Sequence, residues 1–322
     1  MALWLWEMAP VNGKQGQIKI PLIKQKGFRL FLMILPFIFL VLLLNYLPLY
    51  HWRVVFYDYK PGLDMTSDRF VGFDNFVRLI SNRFQMERLG QVLINTFALS
   101  ALSLLSLPLA MFFAIFLSEL RFAPFKKAVQ TLTTIPNFIS WVLVYSVATA
   151  AFSTNDGFVN RLLLQLGVID QGISFLSSPN NVWFVQIAWY IWKSLGWSAI
   201  MYFAAMTNID PELYGSAEVD GAGRFAKIWH ITIPCLLPTL FVMVVLNIAN
   251  FVNYGFEQPF VFLNVMNQRW IETLDLFVYN QGIAGRNYAN AIIIGVLKSL
   301  ISLALVFSAN GLSKLVRKES VF

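Results

Sequence analysis

The sequence predicts an all-α, polytopic membrane protein with six transmembrane helices and a structured cytoplasmic elbow between the fourth and fifth. Three observations carry that expectation. Of 322 residues, 57% are hydrophobic and only 13% charged, with thirty Phe and ten Trp, which is too apolar for a soluble globular domain. Six runs approach or exceed the roughly 20 residues that a helix needs to cross a hydrocarbon core of about 30 Å. Lys and Arg near the ends of those runs collect on one side of a six-span arrangement.

The runs are Leu30 to Tyr50, Leu89 to Ser118, Ala128 to Asn155, Val182 to Met206, Ile231 to Phe256 and Asn287 to Ser313. Lys193 interrupts the fourth and Lys298 the sixth. The N-terminal MALWLWEMAP is apolar but short and holds Glu7, and no small-residue cleavage site follows the first run. That run is therefore expected to be a retained span and not a signal peptide. The chain divides into a tail over 1–27, a six-span domain over 28–313 and a second tail over 314–322.

Six spans place both termini on one side. The first tail and the start of the first run carry Lys14, Lys19, Lys24, Lys26 and Arg29; ELRFAPFKK carries three basic residues and SKLVRKES another three, all on that side. The other side has Arg161 in one loop and Arg269 and Arg286 in another. The excess predicts that both termini are cytoplasmic. The long first loop, 51–88, is then extracytoplasmic; its six basic and five acidic residues carry little weight, because long loops translocate largely regardless of charge. Within it, Phe73, Phe76, Val77, Ile80 and Phe84 recur at helical spacing, which predicts an amphipathic helix packed on the bundle or lying in the interface, with contact to an extracytoplasmic partner as the alternative.

Composition also excludes functions. A net charge of +7 is explained by basic residues in tails and loops beside apolar spans, so no nucleic-acid partner is expected; membrane lipid is. The single Cys235 and the distant His51 and His230 give no disulfide or metal-ligand spacing. No G-x-x-x-x-G-K-[ST] phosphate loop, G-x-S-x-G elbow or HExxH occurs.

The cytoplasmic loop 207–230 holds DPELYGSAEVDGAGRFAKIWHI. Asp210, Pro211 and Glu212 supply an N-cap, a proline in the first turn and an acid near the positive end of the helix dipole. Gly221 and Gly223 suit a helix end and a sharp turn, after which a second helix resumes until Pro234. Leu213, Tyr214, Val219 and Phe225 are available for insertion into a partner. A plain connection between spans would need none of this, so the elbow reads as a docking element.

In the fifth span Asn247, Asn250, Tyr254 and Glu257 are spaced 3, 4 and 3, with Asn253 beside them. On one helix, at roughly 100° per residue, they form a polar stripe about 120° wide. Such a stripe lines a pathway or bonds a neighbouring helix. In the fourth span Trp192 and Trp197 offer faces for sugar rings and Lys193 a charge for a carboxylate; interfacial placement and internal pairing are the alternatives.

The elbow carries a resemblance. The signature of ABC importer permeases runs Glu-Ala-Ala, three residues, Gly, nine residues, Ile, one residue, Leu-Pro; here Gly215, Ser216 and Ala217 take the first triplet, Gly221 follows, and Ile231, Ile233 and Pro234 close it. The spacing matches, and Gly215 and Ser216 replace the usual Glu and first Ala. With VGFDNFVRL, FKKAVQTLTTIPNFISWV, WYIWKSLGWSAIMYFAAMTNIDPELY and NYGFEQPFVF, residues 28 to 322 resemble the branch that handles oligosaccharides, alginate-type importers included.

The resemblance implies an elbow, the coupling helix, seated in an ATP-binding subunit through Tyr214, Gly215, Ser216, Ala217, Asp220, Gly221, Ala222 and Gly223. It also implies a second permease subunit, two ATP-binding subunits that hold ATP and Mg, an extracytoplasmic binding protein and an oligosaccharide substrate. No cofactor is expected on this chain. The rival class is a membrane-bound glycosyltransferase using Asp210, Glu212, Glu218 and Asp220, which lack a pKa-tuning pocket. A six-span scaffold would have no use for the elbow.

Overall fold

The computed structural model describes residues 26–60, 62 and 69–317, so most of the first tail, the last residues of the second and part of the first loop lie outside it, with Lys14, Lys19, Lys24 and Lys318. The chain falls into two compact units that meet between Arg53 and Val54.

The first unit is a helix, α1 (Lys26–Val41), which contains Pro36 and continues as a π turn, Leu42–Tyr46, and a 3-10 stretch, Leu47–Phe56, whose residues from Val54 on belong to the second unit. Leu30–Phe56 is long and apolar enough to cross a membrane. The Arg53 guanidinium lies 3.9 Å over the Tyr50 ring and donates to its hydroxyl.

The regular elements of the second unit are helices, apart from one isolated bridge between Tyr57 and Phe70 among the described residues. Its helices are α2 (Asp74–Ser81), α3 (Arg83–Ser103), α4 (Ser106–Ser118), α5 (Ala123–Thr134), α6 (Trp141–Phe152), α7 (Phe158–Gln165) and α8 (Val182–Met206). After them come α9 (Pro211–Val219), α10 (Arg224–Lys227), α11 (Ile233–Ala249), α12 (Glu257–Phe262), α13 (Gln268–Ile271), α14 (Leu274–Tyr279) and α15 (Tyr288–Arg317). Among the described residues four stretches are long and apolar enough to span, or five when the bent pair α5 and α6 counts as one. At 25 residues α8 has the length, but four Trp, two Tyr, Gln186 and Lys193 lower its hydropathy.

The third apolar run is not one rod. Its first helix, closed by the 3-10 turn Ile135–Phe138, meets α6 at 108° across Ile139 and Ser140. Pro136 has no N–H for the ladder and stands in the 3-10 turn that ends the first helix; the chain leaves the helix at Ile139, φ −80 and ψ 135, and the Ser140 hydroxyl caps α6 by accepting from Leu143 N at 3.4 Å. The corner is tight against α8: a Cβ on Gly196 would stand 2.2 Å from the Thr133 carbonyl oxygen. Small residues allow the same closeness elsewhere, with Ala110 and Ala114 of α4 buried against Ala199 and Tyr202 of α8.

The first-loop helix forms as α2, but with a different buried face. Asn75 and Leu79 are buried, Phe76 half so, while Phe73, Val77, Ile80 and Phe84 point outward. Asn75 decides this by donating to the carbonyls of Val55 at 2.7 Å and Tyr57 at 3.0 Å, which turns the apolar stripe away from the unit.

The chain after α11 folds back into the helices. Leu274 and Phe277 are buried with Val92, Val252, Ile293 and Ile294. Glu272, 3% exposed, takes two bonds from Arg88 of α3, at 2.8 and 3.0 Å, and a third from Asn280 at 2.7 Å, so the charge is paired and its oxygens occupied.

Candidate functional site

The elbow has the form that its residues dictate. The Asp210 carboxylate accepts from Glu212 N at 2.9 Å and Pro211 opens α9. At the other end Gly221 adopts φ +77, Gly221 N bonds Glu218 O at 3.0 Å and Ala222 N bonds Ala217 O at 2.8 Å. Those two bonds are a Schellman motif, and its left-handed position is the one glycine tolerates. The turn is then clasped by side chains: Lys227 to Glu218 at 2.7 Å, and Arg224 to Glu119, after α4, at 3.2 Å. The Lys227 hydrogen bond and charge hold the Glu218 carboxyl below its usual range.

The second arm does not stop at Pro234. It passes through a π turn, Ile228–Thr232, into α11. The wider turn falls just before a residue that has no N–H and whose ring crowds the carbonyl four positions earlier.

Of the candidate docking residues, Val219 and Phe225 are almost fully exposed, at 89% and 86%, and Leu213 is partly so. Tyr214 instead faces inward, its hydroxyl 3.0 Å from Thr232 Oγ1, and braces the elbow against the start of the fifth span. Gly215 has open space around its missing Cβ, and the Ser216 hydroxyl turns back onto the carbonyls of Glu212 and Leu213. Ala217 and Ala222 are the ends of one turn bond, while Asp220 and Gly223 lie exposed on either side.

The polar stripe does not form on one helix. α11 ends at Ala249, and Asn250 follows with φ −100 and ψ 14. Asn247 and Asn250 donate back to Met243 O and Leu246 O, and Gly255 takes φ +105 before Glu257 opens α12. A run of Asn around a left-handed glycine ends the helix before the stripe is complete. Tyr254 and Gln258 turn to α8: the Tyr254 and Tyr190 rings lie 6.2 Å apart, and Gln258 Nε2 donates to Gln186 O at 2.7 Å. Asn253 is exposed on another side.

Lys193 belongs to the same junction, within electrostatic reach of Glu257. Its ammonium donates to the carbonyls of Pro136, at 3.2 Å, and Asn137, at 2.7 Å, and lies 5.5 Å from the Trp141 ring centre. The cation thus serves the Asn137 carbonyl at the corner in the third run and shares the Pro136 carbonyl with the Ile139 N–H, which bonds it at 3.1 Å. Trp192 and Trp197 are not gathered with it. Trp192 lies edge-on to Trp189 in an apolar groove of about 570 Å³ that also includes Phe152, Phe175 and Phe184, and Trp197 meets Phe138.

Sequence reasoning missed Asp275, which pairs with Lys298 of α15 and accepts from Gly255 N at 3.2 Å. Lys298 was visible as a charge inside an apolar run; its partner, 23 positions earlier, was not.

Bent and interrupted apolar helices around buried polar junctions, with a capped elbow between two long helices, define a transport permease. The chain belongs to the family of binding-protein-dependent transport system inner membrane components, whose sequence profile matches residues 106–318. It is 37% identical over 96% of its length to the polygalacturonan/rhamnogalacturonan transport system permease protein YteP of Bacillus subtilis, covering 94% of that protein. It is 28% identical over 75% of its length to the arabinooligosaccharides transport system permease protein AraP of the same organism, covering 78% of it. A chain of a bacterial alginate ABC transporter, solved with an alginate pentasaccharide-bound periplasmic protein, superposes with a TM-score of 0.80 at 32% identity, over 93% of this chain and 98% of that one.

Proposed function

We propose that this chain is one of two membrane subunits of an ATP-driven importer for an acidic oligosaccharide, received from an extracytoplasmic binding protein. In this reading it crosses the inner membrane six times with both termini cytoplasmic. The third span is the bent pair α5 and α6, and the fourth is α8.

The elbow is the observation that carries the reading. Two rigid arms, joined by a Schellman turn and held by Glu218–Lys227 and Arg224–Glu119, present Val219 and Phe225 bare. Exposed apolar tips on a braced element fit a groove in another protein. That protein is an ATP-binding subunit holding the nucleotide and its magnesium. Tyr214 then transmits movement to the fifth span through Thr232, and Gly215, Ser216, Ala217, Asp220, Gly221, Ala222 and Gly223 form the seated surface.

The substrate passes the junction of α8 with the chain after α11. Asn247, Asn250, Asn253, Tyr254 and Glu257 offer hydrogen bonds around an interrupted helix, Lys193 supplies positive charge, and Trp192 and Trp197 flank the path. Non-helical backbone at membrane depth is tolerated where protein buries it or water fills a cavity. Two of the similar proteins carry polyuronate names, which supports an acidic substrate.

The test is ATP hydrolysis by the co-purified complex with its binding protein. Stimulation by binding protein loaded with oligogalacturonate or oligoalginate is expected. Stimulation only by a neutral oligosaccharide sinks the acidic reading, and a chain that never co-purifies with an ATPase sinks the importer.

A further inference from the structure

The helix α11 stops at Ala249, and the sixth-span helix α15 passes the irregular chain that follows. Between them lies a pocket of about 430 Å³ lined by Asn253, Lys298, Ser299, Ser302, Leu303 and Val306. Lys298 is ten residues beyond Tyr288, the first residue of α15, which puts it roughly 15 Å along the helix and near mid-membrane in a core of about 30 Å.

A lysine, two serines and an asparagine at that depth do not face hydrocarbon; such groups turn to protein or to a wet cavity. The backbone agrees, because residues 250–256 are not helical.

The charges are arranged unequally. Lys298 lines the pocket and Asp275 does not. Asp275 sits behind it on α14, pairing with the ammonium through one oxygen and accepting from Gly255 N–H at 3.2 Å through the other. It thereby orients the lysine, whose ammonium has three donors, and gives up one of them. The pocket sees a cation beside hydroxyl and amide groups.

We propose that this pocket is an anion-selective station of the translocation path, in which Lys298 receives a carboxylate of the sugar chain and Asn253, Ser299 and Ser302 bond its hydroxyls. The assignment rests on the acidic-oligosaccharide reading above and adds a specificity-determining residue to it. Asp275 is a positioning residue.

The test reads charge in the pocket directly. Cys235 is the only cysteine. In the intact complex carrying Cys235→Ser, Ser302→Cys is treated with anionic and cationic methanethiosulfonates of similar size. Each rate being taken relative to that reagent's rate with a free small thiol, the anionic reagent is expected to react at least about fivefold faster, since the Lys298 ammonium lines the pocket while Asp275 sits behind it. Asp275→Asn increases the preference, and the double change Lys298→Gln with Asp275→Asn, which leaves no buried charge unpaired, abolishes it.

Trigalacturonate slows the anionic reaction and maltotriose does not. Equal relative rates for the two reagents, or no reaction with either, overturn the site. If the anionic preference is lost while the complex still takes up oligouronate, only the site has failed. Protection by maltotriose alone overturns the uronate assignment and the acidic-substrate reading together.

Discussion

Replacing Gly221 tests the elbow through backbone geometry alone. The residue has φ +77, and a Cβ added there meets nothing within 4 Å, so a side chain brings no clash. What it brings is the left-handed penalty, about 1–2 kcal/mol for an ordinary L-residue. That weakens the formed turn by roughly 5- to 30-fold relative to its opened forms. Asn tolerates the conformation better than Ala, and a β-branched Val worse. Both Schellman bonds, at 2.8 and 3.0 Å, depend on this one residue, so the loss appears as an elbow that opens as a unit. Two readouts follow it: substrate taken up per ATP hydrolysed in reconstituted transporter, and chymotryptic cleavage at Phe225 in membrane subunits stripped of the ATP-binding subunits. Coupling should fall, and cleavage rise, in the order Gly, Asn, Ala, Val. Wild-type coupling and cleavage in both Gly221→Ala and Gly221→Val would refute the reasoning.

Other expected outcomes follow from single contacts. Gly196→Ala drives a Cβ to 2.2 Å from Thr133 O, so the corner must shift; overpacking of this kind costs about 1–3 kcal/mol or more, read as loss of thermal stability in the purified complex. Glu272→Ala leaves Arg88 unpaired in the fold and should destabilise by about 3–5 kcal/mol, whereas Glu272→Gln with Arg88→Gln should recover much of it in the same melt. The Glu218–Lys227 clasp depends on pH with a definite sign. Lys227 lowers the Glu218 pKa from 4.5, so the contribution is complete at neutral pH and is lost as pH falls below that value; the wild-type elbow should loosen in acid and Lys227→Gln should flatten the response in a pepsin assay.

Much of the elbow was legible because it is built from local chemistry. Asp210, Pro211 and Gly221 act within a few residues of themselves, and they stand where their types suggest. The helix α8 was read to its ends, Val182 and Met206, for the same reason: a long periodic run bounded by Asn181 and Thr207. The interrupted spans were harder. Pro136 and Gly255 are ordinary punctuation in a soluble chain, but inside an apolar run they were outweighed by hydropathy, which counts residues and ignores the hydrogen bonds that a break leaves open. Whether a break survives depends on distant partners. Lys193 serves the first break from α8, and Asp275 and Lys298 serve the second from α14 and α15. The pairing between distant spans is set by tertiary packing, so the lysines appeared as isolated charges and the polar stripe as a continuous helix face. Asn75 decides between the two placements open to the α2 stripe: two bonds to distant carbonyls turn it outward and not onto the bundle.

The central claim, that this chain forms half of a path for an acidic oligosaccharide driven by ATP, is tested most directly by transport. Proteoliposomes containing the assembled complex and ATP on the elbow side are given binding protein loaded with labelled oligouronate on the other. The account predicts accumulation that requires ATP and all subunits and is not matched by a neutral oligosaccharide of equal length. Accumulation without ATP, or of the neutral sugar alone, contradicts it.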